Sequence, residues 1–186
     1  MTNQRKPCPP AWLVRRYYDY DAETGELLYR VNCGTRGKRG SVVGTSRVDG
    51  YKQCSLEGTI YLLHTLVWVH QTGEAVPKGM QMDHVNHNRA DNRLANLRCV
   101  TPVENYRNTS ARRNASGHRG VVWSSRKGMW RAYITTRGKR SWLGMHRNIE
   151  DAIAARLAAE VELGFHPNHG LTANEVAANV VASDDV

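Results

Sequence analysis

The chain has 186 residues, 40% hydrophobic and 23% charged, which suits one ordinary domain or two small ones and excludes a disordered chain. No apolar run approaches the roughly 20 residues that a membrane helix needs. The basic N-terminus MTNQRKPCPPAW has no apolar stretch behind it, so an intracellular protein is expected. The formal charge of +9 is regional: between Glu104 and Glu150 there is no acidic residue, but 11 of the 26 Lys and Arg lie there, including Arg112 and Arg113. Outside that interval 15 basic residues face 17 acidic ones. A stretch so one-sided repels itself unless it meets a polyanion, and aromatic residues are interleaved with its charges, so nucleic acid is the expected partner. Cys8, Cys33, Cys54 and Cys99 form no C-x-x-C pair, so neither a structural zinc site nor a disulfide is expected.

In chain order, AWLVRRYYDYD predicts a short helix from Pro10 to about Asp21, with Leu13, Tyr17 and Tyr18 on one face. AETGELLYRV reads as a turn at Gly25 entering a strand, and residues 32–44, rich in Gly, Arg and Lys, as an exposed loop. Asp49-Gly50 and Glu57-Gly58 bracket an alternating stretch, the pattern of a β-hairpin. LLHTLVWVHQTG has helical spacing at Leu63, Leu66, Val67 and His70 and stops at Gly73. Beyond a polar central segment, NTSARRNASGH breaks all periodicity and reads as a linker over 111–116. RGVVWSS, WRAYITTRG and KRSWLGMH are three strand-like runs, with turns at Lys127-Gly128 and Arg137-Gly138-Lys139. IEDAIAARLAAEVELG is an amphipathic helix that Asn148 caps, Asp151 reaches back to and Gly164 ends. Its Ala152, Ala155 and Ala159 allow close approach to a sheet. In the sheet, Ala132 and Ile134 would face the helix, and Arg131, Tyr133 and Thr135 the open side. Residues 168–186 are expected to be a helix fragment or a frayed tail.

The central string MDHVNHNRADNRLANLRCVTPVENYRN holds the residues suited to chemistry: Asp83, His84, Asn96 and Asn105. Hydrolysing a phosphodiester requires deprotonating a water, neutralising the phosphate and stabilising the departing oxygen. A histidine does the first near neutral pH. A hard divalent cation on oxygen ligands, here the Asp83 carboxylate and the Asn105 amide, does the other two. An amide such as Asn96 can fix the ring of the base. Taken singly, Asp-His pairs and Asn-rich stretches are commonly turns, so spacing alone leaves the matter open.

The whole string closely resembles the HNH endonuclease family, in its phage and intron-borne branch. The likeness rests on Asp83-His84-Val85-Asn86, on Asp91-Asn92-Arg93-Leu94 with Asn96-Leu97-Arg98, and on Thr101 with Glu104-Asn105 and Asn108. It extends upstream through GYKQCSLEGTIYLLHTLVWVHQTGE to the residues around Gly25. The resemblance implies a ββα-metal fold: one strand ending at Asp83-His84, a loop over Asn86 to Asn92, a second strand near Arg98 to Val100, and a helix starting near Pro102. Thr101 as N-cap with Glu104 three residues on supports that helix independently. The resemblance further implies that Asp83 and Asn105 hold one metal ion, Mg2+ first and Mn2+ second, that His84 is the general base and that Asn96 orients it. Products would carry 5′-phosphate and 3′-hydroxyl ends. His64 is expected to pack, His87 has no assigned role, and Arg93 and Arg98 are either phosphate contacts or loop ion pairs.

Downstream, Arg119-Gly120-Val121, Trp130-Arg131-Ala132, Ile134 and Trp142-Leu143-Gly144, followed by the Ala-rich helix, resemble the AP2 DNA-binding domain. That likeness implies a three-stranded antiparallel sheet packed on one helix, with the open face in the DNA major groove. The expected DNA-contacting set is Arg119, Arg126, Arg131, Tyr133, Arg140 and Trp142. Val122 and Ser124 stand where plant members carry Arg, so the base-reading set differs.

The expected fold is α+β: an HNH nuclease domain over 1–110 with its ββα-metal core at about 80–108, a linker over 111–116, an AP2-like domain over 117–167, and a tail. The expected function is a metal-dependent endonuclease acting on double-stranded DNA, phage or mobile-element encoded, working in the host cytoplasm as a monomer or homodimer. The competing reading is a non-catalytic DNA-binding regulator on an HNH scaffold.

Overall fold

A computed structural model describes residues 7–35, 37–110, 114 and 116–184, with side chains described as far as residue 179. The N-terminal residues 1–6, Arg112, Arg113 and most of the expected 111–116 linker therefore lie outside the described residues. The protein is mixed α and β and divides into two compact units, residues 1–101 and 102–186.

The first unit opens with α1 (Ala11–Tyr17), β1 (Tyr18–Tyr20) and β2 (Leu27–Tyr29). The expected helix thus ends four residues early, and Tyr18 begins a hairpin strand paired with Tyr29. Val14 and Tyr18, rather than Leu13 and Tyr17, are its fully buried residues. Gly25 makes the β1–β2 turn at a φ of 75°, a left-handed conformation that glycine adopts without penalty. The segment 32–44 is mostly open loop, but Val43 within it is fully buried.

Three strands follow: β3 (Thr45–Ser46), β4 (Lys52–Leu56) and β5 (Thr59–Leu62), in the antiparallel order β3-β4-β5. The β4–β5 turn is Glu57-Gly58, both at positive φ, as a two-residue hairpin turn requires. Helix α2 (Leu63–Thr72) ends on left-handed Gly73. Its Leu63, Leu66, Val67 and Val69 fill the core with Val14, Leu27 and Leu56. Strands β6 (Gln81–His84) and β7 (Leu97–Val100) form an antiparallel ladder, with Asp83 opposite Arg98 and His84 opposite Leu97. Leu97 joins the core cluster and so fixes the ladder to the unit.

The second unit begins with α3 (Pro102–Tyr106), which starts where Pro102 suits a first helical turn. Then come β8 (Val121–Ser124), β9 (Met129–Thr136) and β10 (Lys139–His146), ordered β10-β9-β8, and α4 (Ile149–Glu162). Val121, Ala132 and Ala152 form the seam between sheet and helix, flanked by Trp130, Leu143, Ile149 and Ile153. A bulge between Trp142 and Gly144 shifts the β9–β10 register by one residue. Asn148 occupies the N-cap position of α4 with extended backbone but makes no side-chain cap bond. The C-terminal segment is ordered as α5 (Ala173–Asp184): Thr172 and Glu175 form a reciprocal cap, and Val176 is buried.

The division at Thr101 falls nine residues earlier than the 1–110 boundary read from sequence. Contacts of α3 and the residues after it explain this. Arg119 lies over the Tyr106 ring at 5.2 Å and Arg107 over Phe165 at 5.8 Å. The amides of His166 and Gly170 donate to the carbonyls of Arg107 and Thr109.

Candidate active site and nucleic-acid interface

Asp83 and His84 are the last residues of β6, and both are buried. Alternation along the strand sends their side chains to opposite faces. Asp83 meets Arg98 across the ladder, whose Nε donates to its Oδ2 at 2.9 Å and whose terminal nitrogen lies 2.7 Å away. Arg98 is thereby an ion-pair partner of Asp83, and Arg93 is one of Asp91 through two hydrogen bonds of 2.9 and 2.7 Å.

The ring of His84 is held by Asn92: Nε2 lies 3.2 Å from the Asn92 Oδ1. This bond to an amide oxygen favours the tautomer with the ring proton on Nε2. Asn92 is itself buried in the 85–96 loop. Asn96, expected to orient the ring, makes its described contacts with the loop backbone. Its Oδ1 accepts from the Asn86 amide at 2.9 Å and its Nδ2 donates to the Asp91 carbonyl at 2.8 Å. Each end of that amide makes one bond to loop backbone, so Asn96 braces the loop that carries Asn92. Asn92 was in the quoted motif string, but nothing in its type or spacing marks it over Asn96.

Two more rings complete this face. His84 stacks edge-on with His64 at 5.2 Å, and Tyr51 lies 5.3 Å from His64 and 5.8 Å from His84. His64 thus packs, as expected, but against the candidate base itself. Burial, and secondarily the charge of His84, pushes its pKa down to about 3. Burial also lowers the pKa of His84; the Asn92 bond and the charges of Asp83 and Asp91 oppose this, while Arg89 adds to it. Both imidazoles are therefore neutral at pH 7, the state a general base needs. His87 sits in the loop at a φ of 62°, its amide donating to the His84 carbonyl. Asn105 lies in α3, in the second unit.

Residues 61–107, running from β5 through α2, β6 and β7 to the residue after α3, match the HNH endonuclease family. Over that stretch the chain is similar to the HNH endonuclease family. The chain is also similar to Protein 3.8 of Escherichia phage T7, with 38% identity over 78 residues, 41% of this chain and 64% of that protein. A solved structure of DNA binding and cleavage by the HNH homing endonuclease I-HmuI shares 26% identity over 47% of this chain and 50% of that one, with a TM-score of 0.35. The chain therefore spans less than two thirds of the length of either relative.

Downstream of residues 61–107, the face of the β8–β10 sheet away from α4 carries a guanidinium and aromatic cluster. Trp142 pairs with Tyr133 and Arg140 with Thr135 across the ladder. The Tyr133 and Trp142 rings meet edge-on at 5.8 Å, and Arg140 lies 4.3 Å from the Tyr133 ring. Arg131 and Arg140 each lie 5.9 Å from the Trp142 ring, which is 60% exposed. Ala132 and Ile134 are buried, as alternation predicted. Arg126 is exposed in the β8–β9 turn. Arg119 is not brought to this cluster: it stacks on Tyr106 and acts electrostatically on Arg156 and Glu160 of α4.

Proposed function

We propose that this chain is a metal-dependent endonuclease that hydrolyses one phosphodiester bond of double-stranded DNA per site, encoded by a phage or mobile element. The observation that carries this is the buried Asp83-His84 pair inside an HNH segment, with Asn92 setting the tautomer of His84. Neutral His84 takes a proton from water as the water oxygen bonds to phosphorus; the bond from phosphorus to the 3′ oxygen breaks and that oxygen takes a proton from solvent water, leaving 5′-phosphate and 3′-hydroxyl ends. Asn92 holds the ring, and Asn96 acts through the loop as a positioning residue.

By the family resemblance, Asp83 and Asn105 are the oxygen ligands proposed for a cation. One hard divalent ion, Mg2+ before Mn2+, would supply charge neutralisation at the phosphate and at the departing oxygen. The donor chemistry fits: Asp83 is a buried carboxylate already stabilised by a cation, Arg98.

The open sheet face is the proposed docking surface for the duplex, in the manner of an AP2 domain, with Arg131, Tyr133, Arg140, Trp142 and Arg126 contacting DNA. A single site cuts one strand, so a monomer nicks and a homodimer makes a double-strand break. Supercoiled plasmid with Mg2+ should be nicked by wild type, and neither with EDTA nor by His84→Ala. Plasmid left intact under Mg2+ and Mn2+, yet retarded in a gel, would identify a non-catalytic DNA-binding protein instead.

A further inference from the structure

Three arginines lie on or beside the 85–96 loop next to the candidate base, and two are neutralised: Arg93 by Asp91 and Arg98 by Asp83. Arg89 is held differently. Its guanidinium lies over the Tyr51 ring at 4.8 Å and donates from one terminal nitrogen to the Asp49 carbonyl at 2.9 Å. Its stem runs along Gly50, where an added Cβ would meet the Arg89 Cβ and Cδ at 3.8 and 3.9 Å. Neither contact brings a negative charge, because the Asp49 carboxylate is taken by Arg47 at 3.1 Å.

The seat is built in advance. The Arg47 amide donates to the Tyr51 carbonyl at 2.7 Å and the Gly50 amide to the Arg47 carbonyl at 3.0 Å, closing the β3–β4 turn. Tyr51 is at once the shelf for Arg89 and a ring neighbour of His84, so the turn sets the guanidinium beside the base. A guanidinium has five N–H donors, and the Asp49 carbonyl takes one. An exposed, pre-placed cation with free donors next to a general base is suited to a phosphate oxygen.

We propose that Arg89 is a catalytic residue that binds a non-bridging oxygen of the scissile phosphate, with Tyr51 as its positioning residue. This rests on the nuclease reading of the Asp83-His84 site. In this role Arg89 neutralises charge that grows on the phosphate as the water oxygen attaches, which ion-paired Arg93 and Arg98 are not arranged to do.

The test compares wild type with Arg89→Ala and Arg89→Lys, measuring single-turnover plasmid nicking with Mg2+, plasmid affinity in EDTA and unfolding temperature. Arg89→Ala should lower the rate on the order of 100-fold, as loss of one transition-state donor does, while affinity stays within about threefold and the unfolding temperature holds. Arg89→Lys should fall between, since it restores the charge but not the fork. An Arg89→Ala protein that nicks within about threefold of wild type overturns the proposal and leaves the nuclease reading standing. Loss of rate in both variants together with a fall in unfolding temperature makes Arg89 a brace of the loop, and also overturns it. Wild type that binds plasmid but fails to nick it under either Mg2+ or Mn2+ ends the nuclease reading, and this assignment with it.

Discussion

His64 and His84 meet edge-on in the interior of the first unit, and one neutral imidazole beside another is stable only while neither is protonated. The pKa of His64 is about 3 in the folded chain against 6.5 when unfolded, so its contribution is whole above pH 6.5 and is lost as pH falls toward 3. Linkage puts the loss at pH 5 near 2 kcal/mol. Urea unfolding at pH 7 and pH 5 should show it, and His64→Phe should flatten that dependence. His84 titrates below the ordinary imidazole value as well, so the acid limb of the cleavage rate should lie below pH 6.5. Asn92→Leu removes the bond that raises the His84 pKa and frees the ring to turn. It should shift the His84 titration further down in NMR and slow cleavage on the order of tenfold to a hundredfold, as loss of an orienting partner does. Asn96→Ala should slow cleavage too, through the loop, without removing the Asn92 bond.

At the scale of elements, the β1–β2 turn supports the candidate site from behind. A Cβ on Gly25 would run into the backbone of Asn92 and Arg93, and Gly25 also sits at a φ of 75°. The Tyr20 hydroxyl accepts from the Leu94 amide at 2.8 Å, so the hairpin and the site loop are joined directly. Gly25→Ala should therefore cost on the order of 2 kcal/mol in urea unfolding and also impair nicking, because the displaced backbone carries the partner of His84. In the second unit the buried pair Arg156 and Glu160, 2.8 Å apart, ties α4 to β9 through the Tyr133 carbonyl. Burial lowers the Arg156 pKa and raises that of Glu160, so each charge depends on the other. Arg156→Ala should destabilise the second unit by about 3 kcal/mol, since it leaves Glu160 buried without its cation.

At the scale of the molecule, the net charge of +9 resolves into a local device. Arg131, Arg140, Tyr133 and Trp142 gather on one sheet face, where alternation and cross-strand pairing put them. Arg140→Ala with Trp142→Ala should weaken DNA affinity roughly tenfold to a hundredfold and reduce the slope of log affinity against log salt by about 1. Nicking at high protein concentration should persist, and unchanged affinity would sink the docking surface.

The sequence by itself determined the hairpin turn at Glu57-Gly58, the stop of α2 at Gly73 and the sheet-and-helix pattern of the second unit, while the β6 and β7 strands were implied by the family resemblance. The former follow from local signals: alternation, helical spacing and residues that tolerate positive φ. It also marked Asp83 and His84, through a motif whose order is itself a string. Only the tertiary structure decided which asparagine holds the His84 ring, which arginine lacks a carboxylate partner and where the two units divide. Asn92 and Asn96 are the same residue type four positions apart, and loop geometry alone separates their roles. Arg89 is set by Asp49, 40 residues earlier, and the boundary by contacts of Tyr106 and Arg107 with Arg119 and Phe165. Such contacts act through space, and periodicity along a chain carries no record of them.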